Sequence, residues 1–116
     1  MYIALAALIA LHGLAHMVGF AAPWGYMKNP PSDLTGSSAR ILGIFWLIAA
    51  FVFVVAAVGL VRRESWWTPV TLVACLLSIA LSVASLPYAK IGLLVDVALV
   101  AFLFLNRGTG WITTAA

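Results

Sequence analysis

His12 and His16 stand four residues apart in LHGLAHMVGF, Leu11 to Phe20, a stretch otherwise almost free of polar side chains, and Asp96 interrupts the apolar run from Ile91 to Leu105. Four-residue spacing puts both imidazoles on one face of a helix. From there they can chelate one ion, so His12, His16 and Asp96 form a candidate metal set. Gly13 follows His12, so the glutamate that makes the zinc-protease motif specific is missing. Haem requires axial ligands on opposite faces of the ring, which two histidines on one side of one helix cannot supply. Pairing across a symmetric dimer, or with Met17 or Met27, is the haem geometry left open. The third chemistry is proton transfer, with Asp96 as the titrating acid of a small oligomeric transporter or channel. Beside all three stands a structural reading, in which the same groups hydrogen bond between helices and hold them together.

Helical rise of about 1.5 Å per residue converts position into depth. Measured from the side of the termini, His12 lies roughly 15 Å in, His16 roughly 21 Å, and Asp96, counted back from Asn106, roughly 15 Å. Ser78, Ser82 and Ser85 share one helix face and run from that layer outward. Trp46 and Tyr88 belong to the same outer half. The polar groups therefore predict a shallow, partly polar cleft under the long loop, with Asp96 paired to His12 or His16 across the first and fourth spans. No catalytic residue set is predicted, and an enzyme would need a bound metal or cofactor to supplement these groups.

The elements that must position them follow from composition. Of 116 residues, 66% are hydrophobic and 8% charged, against about 45–50% and 25% in a soluble domain. Each membrane-crossing helix needs about 20 apolar residues, and the charges fall almost entirely between four such runs. The expectation is an all-α integral membrane four-helix antiparallel bundle forming one domain, with spans at 2–22, 41–61, 68–86 and 90–106 and one long loop at 23–40. The first run lacks a cationic leader segment before it and is expected to be a retained helix rather than a signal peptide. Pro23 is expected to end it. Trp24, Trp66, Trp67, Trp111 and Lys90 read as anchors at the membrane edges. Cys75, the single cysteine, excludes an intrachain disulfide and reads as a small packing residue.

The net charge of +3 comes from basic residues scattered at helix ends, which argues against nucleic acid. The expected partners are the lipid bilayer and other membrane subunits or further copies of the chain, docking on small-residue faces such as Ala6, Ala10, Ala15 and Gly19. The basic residues divide equally between the two sides, Arg62, Arg63 and Arg107 against Lys28, Arg40 and Lys90, and the short connection with paired Arg62 and Arg63 tilts the expectation towards both termini in the cytoplasm.

HGLAHMVGF, His12 to Phe20, resembles the first-helix segment of DoxX-like proteins, small four-span proteins of the bacterial inner membrane. His12, Gly13, Leu14, Gly19 and Phe20 match that segment. His16 stands where the family commonly has a lysine, and Ala15 replaces a polar neighbour, so a role tied to the lysine does not carry over. The likeness covers the first span closely and the rest as a four-helix hydropathy pattern. It implies an accessory or structural subunit of a membrane complex, with some relatives in quinone-linked sulfur oxidation and oxidative-stress defence, and leaves the cofactor open, with a quinone or other apolar ligand as a candidate occupant of the cleft.

Overall fold

The computed structural model describes residues 2–26, 28, 37–84 and 90–109. Among these the chain is helical, with no strand: α1 Tyr2–Ala15, α2 Met17–Ala21, α3 Ser37–Val61, α4 Trp67–Ala84 and α5 Lys90–Thr109. Three stretches, Ile3–Ala21, Ser38–Val61 and Trp67–Ala84, are long and apolar enough to cross a membrane. Thr35, Ser85, Tyr88 and Trp111, and residues 27 and 29–36 of the long loop, lie outside the described residues.

The first expected span is two helices because His16 breaks its own ladder. Its Nδ1 donates to the His12 carbonyl at 2.7 Å, the acceptor that its backbone N–H would otherwise use. That N–H turns instead to Gly13 O at 3.0 Å, and Gly19 N–H turns to His16 O at 3.1 Å. The helix is locally tightened to i−3 bonding, the usual response when a side chain takes a backbone acceptor.

The first span ends at Ala21, close to the bound expected from Pro23. Trp24 N–H still reaches Phe20 O, and closure comes one residue later at Gly25, whose φ is +83°. Gly25 N–H bonds Ala22 O and Tyr26 N–H bonds Ala21 O, the paired bonds of a Schellman cap. The same motif ends α3 at Arg63, φ +56°, through Arg63 N–H to Leu60 O and Glu64 N–H to Gly59 O.

α3 starts at Ser37 rather than Ile41. Its first turns are clasped to the end of the first span: Trp24 Nε1 donates to Arg40 O, Arg40 Nε donates to Pro23 O, and the guanidinium lies over the Trp24 ring. α5 runs to Thr109, beyond the expected Asn106, because apolarity reports the extent of burial or lipid contact and not where a hydrogen-bond ladder stops.

As the first span climbs from Gly13 to Gly19, its partners on α3 fall from Phe53 to Trp46, so the two run in opposite directions. A Cβ on Gly13 would sit 2.5 Å from Phe53 Cβ, and one on Gly19 would sit 2.4 Å from Trp46 Cγ. Both glycines are there for close approach. α4 packs on α3 and on α5, and α5 returns to α1 through His12 and Asp96.

Burial is inverted relative to a water-soluble protein. His12, His16, Thr71, Ser78, Ser82 and Asp96 are buried, while Leu11, Phe51, Leu94 and Ile91 are 65–70% exposed. Water would penalise so much contiguous apolar surface, and lipid would not. The apolar core gathers towards the termini around Ile9, Phe53, Leu60, Trp67, Cys75, Leu99 and Leu103. Cys75 is fully buried within it.

Two expectations need correction. Trp66 and Trp67 do not form a pair of edge anchors: Trp66 is partly exposed and lies on Gly59, whereas Trp67 is 1% exposed inside the core. Successive helical positions point about 100° apart, so one indole of the pair turns inward. The small-residue faces are also partly used inside the molecule, with Ala6 in the core and Gly19 under Trp46, while Ala6 and Ala10 still border an open groove against α3. Only Ala15 of that set is exposed.

Candidate functional site

Three helices converge at one level. His12 and His16 come from the first span, Ser78 from the middle of α4 and Asp96 from the second turn of α5. Asp96 Oδ1 lies 2.6 Å from His12 Nε2, and the Ser78 hydroxyl lies 2.5 Å from Asp96 Oδ2. Ser78 Oγ is also 2.6 Å from His16 Nε2, and His16 Nδ1 donates to His12 O. The result is a closed circuit that begins and ends on His12. Asp96 has no exposed surface.

Proton accounting constrains what this circuit can hold. A carbonyl only accepts, so His16 Nδ1 carries a proton. Three contacts remain: His16 to Ser78, Ser78 to Asp96, and Asp96 to His12. Each needs one proton, and the hydroxyl supplies one. Two distributions satisfy every contact and leave the cluster without net charge. In one, His12 Nε2–H and Ser78 O–H donate to an ionised Asp96, and a doubly protonated His16 donates to Ser78. In the other, Asp96 carries its own proton and donates to Ser78, which donates to a neutral His16. They differ by two short shifts along Oδ2, Oγ and Nε2. A net-neutral cluster is the form that low-dielectric surroundings favour, since an unpaired buried charge is costly.

Aromatic rings fix the imidazoles. His12 and His16 meet edge to face with centroids 4.8 Å apart, and Phe53 lies 4.9 Å from His12 and 5.1 Å from His16. Trp46 covers the other side of His16 at 4.9 Å. Phe53 was not among the residues singled out from sequence. The signal was available, since Phe53 follows Trp46 by seven residues and so shares its helix face.

A cavity of about 200 Å³ opens beside the circuit, walled by His12, His16, Trp46 and Ser82. Ala15 on α1 and Ile91 and Gly92 on α5 also line it. Ala15 and Ile91 are exposed, so the mouth lies between α1 and α5. A larger groove of about 390 Å³ runs between α1 and α3 along Ala6, Ala7, Ala10, Val54 and Val58. Among the described residues that line it, Arg62 at its edge is the sole ionisable group.

Comparison with protein families, with curated proteins and with solved structures finds no match.

The ion-chelating arrangement is not what the geometry displays. Among the described residues no group of three or more His, Cys, Asp and Glu side chains is disposed to hold a metal ion. Both ring nitrogens of His16 are committed, to His12 O and Ser78, and His12 Nε2 is committed to Asp96. Met17, a candidate haem ligand, is 40% exposed and lines a separate apolar groove with Leu14, Leu47 and Phe51. Of the serine row, Ser78 joins the circuit and Ser82 lines the cavity. Trp24, Trp66 and Lys90 are exposed at helix ends, as edge anchors require.

Proposed function

We propose that this chain is an integral membrane four-helix antiparallel bundle of the bacterial inner membrane, with both termini in the cytoplasm, that serves as an accessory subunit of a membrane complex. It holds a small, mostly apolar ligand in the cleft between α1 and α5. Three membrane-competent helices, an exterior of large aliphatic side chains and a long axis of 45 Å support a bilayer setting, where hydrocarbon and headgroups together measure about 40–45 Å. The likeness of His12 to Phe20 to DoxX-like proteins supports the subunit role and makes a quinone one ligand to test.

One observation favours ligand holding over conduction. The polar circuit and its cavity are closed towards the termini by the apolar layer of Ile9, Phe53, Leu60, Trp67, Leu99 and Leu103. Thr71 is a buried hydroxyl in that half, and it bonds back to Trp67 O of its own helix. Among the described residues no polar path continues across a single chain, and a proton-coupled transporter or channel needs one.

The deciding experiment is gentle extraction from the native membrane followed by mass analysis of what copurifies, together with flux assays in proteoliposomes. A fixed partner or a bound small molecule without flux supports the proposal. Proton-driven flux abolished by Asp96→Asn would replace it with the transporter.

A further inference from the structure

The groove between α1 and α3 combines an apolar trough with a cation at one end. Ala6 and Ala57 form a floor that is 3% and 6% exposed, and Ile3, Val58 and Val61 stand as rims at about half exposure. The trough holds about 390 Å³ and ends at Arg62, beyond the last turn of α3. From Val54, at its inner end, to Arg62 the helical rise is about 12 Å. One leaflet offers about 15 Å of hydrocarbon, half of the bilayer core. The groove therefore runs from headgroup level most of the way to the midplane.

Arg62 is loosely held. Its Nη2 lies 3.9 Å from Glu64 Oε1, and the two side chains are 68% and 40% exposed. An ion pair of that length and exposure contributes little, so a phosphate can compete for the guanidinium, which binds phosphate oxygens in bidentate fashion.

We propose that this groove is a site for an anionic phospholipid of the bilayer, with one acyl chain along Ala6, Ala7 and Ala10 and the phosphate on Arg62. This rests on the bilayer setting and not on the cavity between α1 and α5. Lipid gives an acyl chain no hydrophobic reason to choose one helix surface over another. The preference comes from closer packing against floor and rims and from the attraction of a basic residue near the membrane surface to anionic headgroups. The same charge disfavours a second copy of the chain as occupant. Copies in one membrane share an orientation, so a symmetric dimer closed through this groove would bring both Arg62 side chains to one level, like charge against like.

The test places the full chain, with ¹³C-labelled alanine and valine methyls, in phosphatidylcholine nanodiscs. A small fraction of the lipid carries a nitroxide on its acyl chain, either as phosphatidylglycerol or as phosphatidylcholine. The labelled phosphatidylglycerol is expected to broaden the Ala7, Ala10 and Val58 methyls more than those of Val73, which is similarly exposed on α4. At equal dose it should act about fivefold more strongly than the choline lipid, the ratio that one basic residue near the surface supports. Arg62→Gln should remove that excess and Arg62→Lys should keep most of it. Ala7→Leu, which fills the groove from an exposed position, should reduce the broadening of Ala10 and Val58 by either lipid. Equal effects of the two lipids, an excess that survives Arg62→Gln, or broadening of Val73 equal to that of Val58 overturns this inference and leaves the bilayer setting intact. A stable dimer that Ala7→Leu dissociates would also overturn it and give the groove to a second copy. Failure of the chain to enter the nanodisc overturns both.

Discussion

Ser78 Oγ sits 2.6 Å from His16 Nε2 and 2.5 Å from Asp96 Oδ2, so a single hydroxyl joins an imidazole on the first span to a carboxyl on α5. Without it the circuit would fall into a His12–Asp96 pair and a His16 bonded to the His12 carbonyl but cut off from the carboxyl. Ser78 is therefore the coupling element.

That coupling is measurable by ¹⁵N NMR of labelled histidine. Asp96→Asn is expected to shift the ring nitrogens of both His12 and His16 in the otherwise native chain. In a Ser78→Ala background the same change should move His12 strongly and His16 little. An equal response of His16 in the two backgrounds would mean that the hydroxyl transmits nothing.

The His12–Asp96 contact joins helices that are otherwise loosely apposed along the cavity mouth. Removing either partner leaves His12 Nε2 or Asp96 Oδ1 buried without this bond, at a cost of about 1–3 kcal/mol. His12→Phe and Asp96→Leu are each expected to lower stability by that order, and the double variant by less than their sum. Unfolding in mixed micelles provides the double-mutant cycle, and strict additivity would show that the pair does not interact.

Glycine substitutions should divide sharply. Gly19→Ala drives a methyl into the Trp46 ring at 2.4 Å, and overpacking of this kind costs about 1–3 kcal/mol. Among the described residues a Cβ at Gly92 meets ordinary contact, so Gly92→Ala should raise stability by up to about 0.5–1 kcal/mol through the helix term. Thermal midpoints of the two variants moving in the same direction would contradict the packing described for these sites.

Much of the architecture was legible because a bilayer imposes simple rules. Run length gave the helices Ser37–Val61, Trp67–Ala84 and Lys90–Thr109 to within a few residues, and rise per residue set His12, Ser78 and Asp96 at a common level. What sequence could not carry was direction around each helix axis at single positions. It left Trp66 and Trp67 equivalent, although one faces outward and the other fills the core. It also gave no sign that His16 would turn its Nδ1 back onto the His12 carbonyl and split the first span, since that depends on Ser78 capturing the other ring nitrogen. Gly92 was unreadable for a related reason: a glycine that lines a cavity looks the same in sequence as one that permits close helix contact.

The turn after α3 stores a small strain that one substitution should release. Arg63 occupies the left-handed position of a Schellman cap at φ +56°, where a side chain with a Cβ is disfavoured by about 1 kcal/mol or more. At the equivalent position after α2 the chain uses Gly25. Arg63→Gly is therefore expected to stabilise the protein by about 0.5–1 kcal/mol, reduced by whatever contact the guanidinium makes. Arg63→Asn, which tolerates the same conformation, should give a smaller gain, and Arg63→Val a clear loss because β-branching is incompatible with positive φ. Denaturation of the three variants in one detergent supplies the ranking, and a Val variant as stable as the Gly variant would show that the cap is not formed.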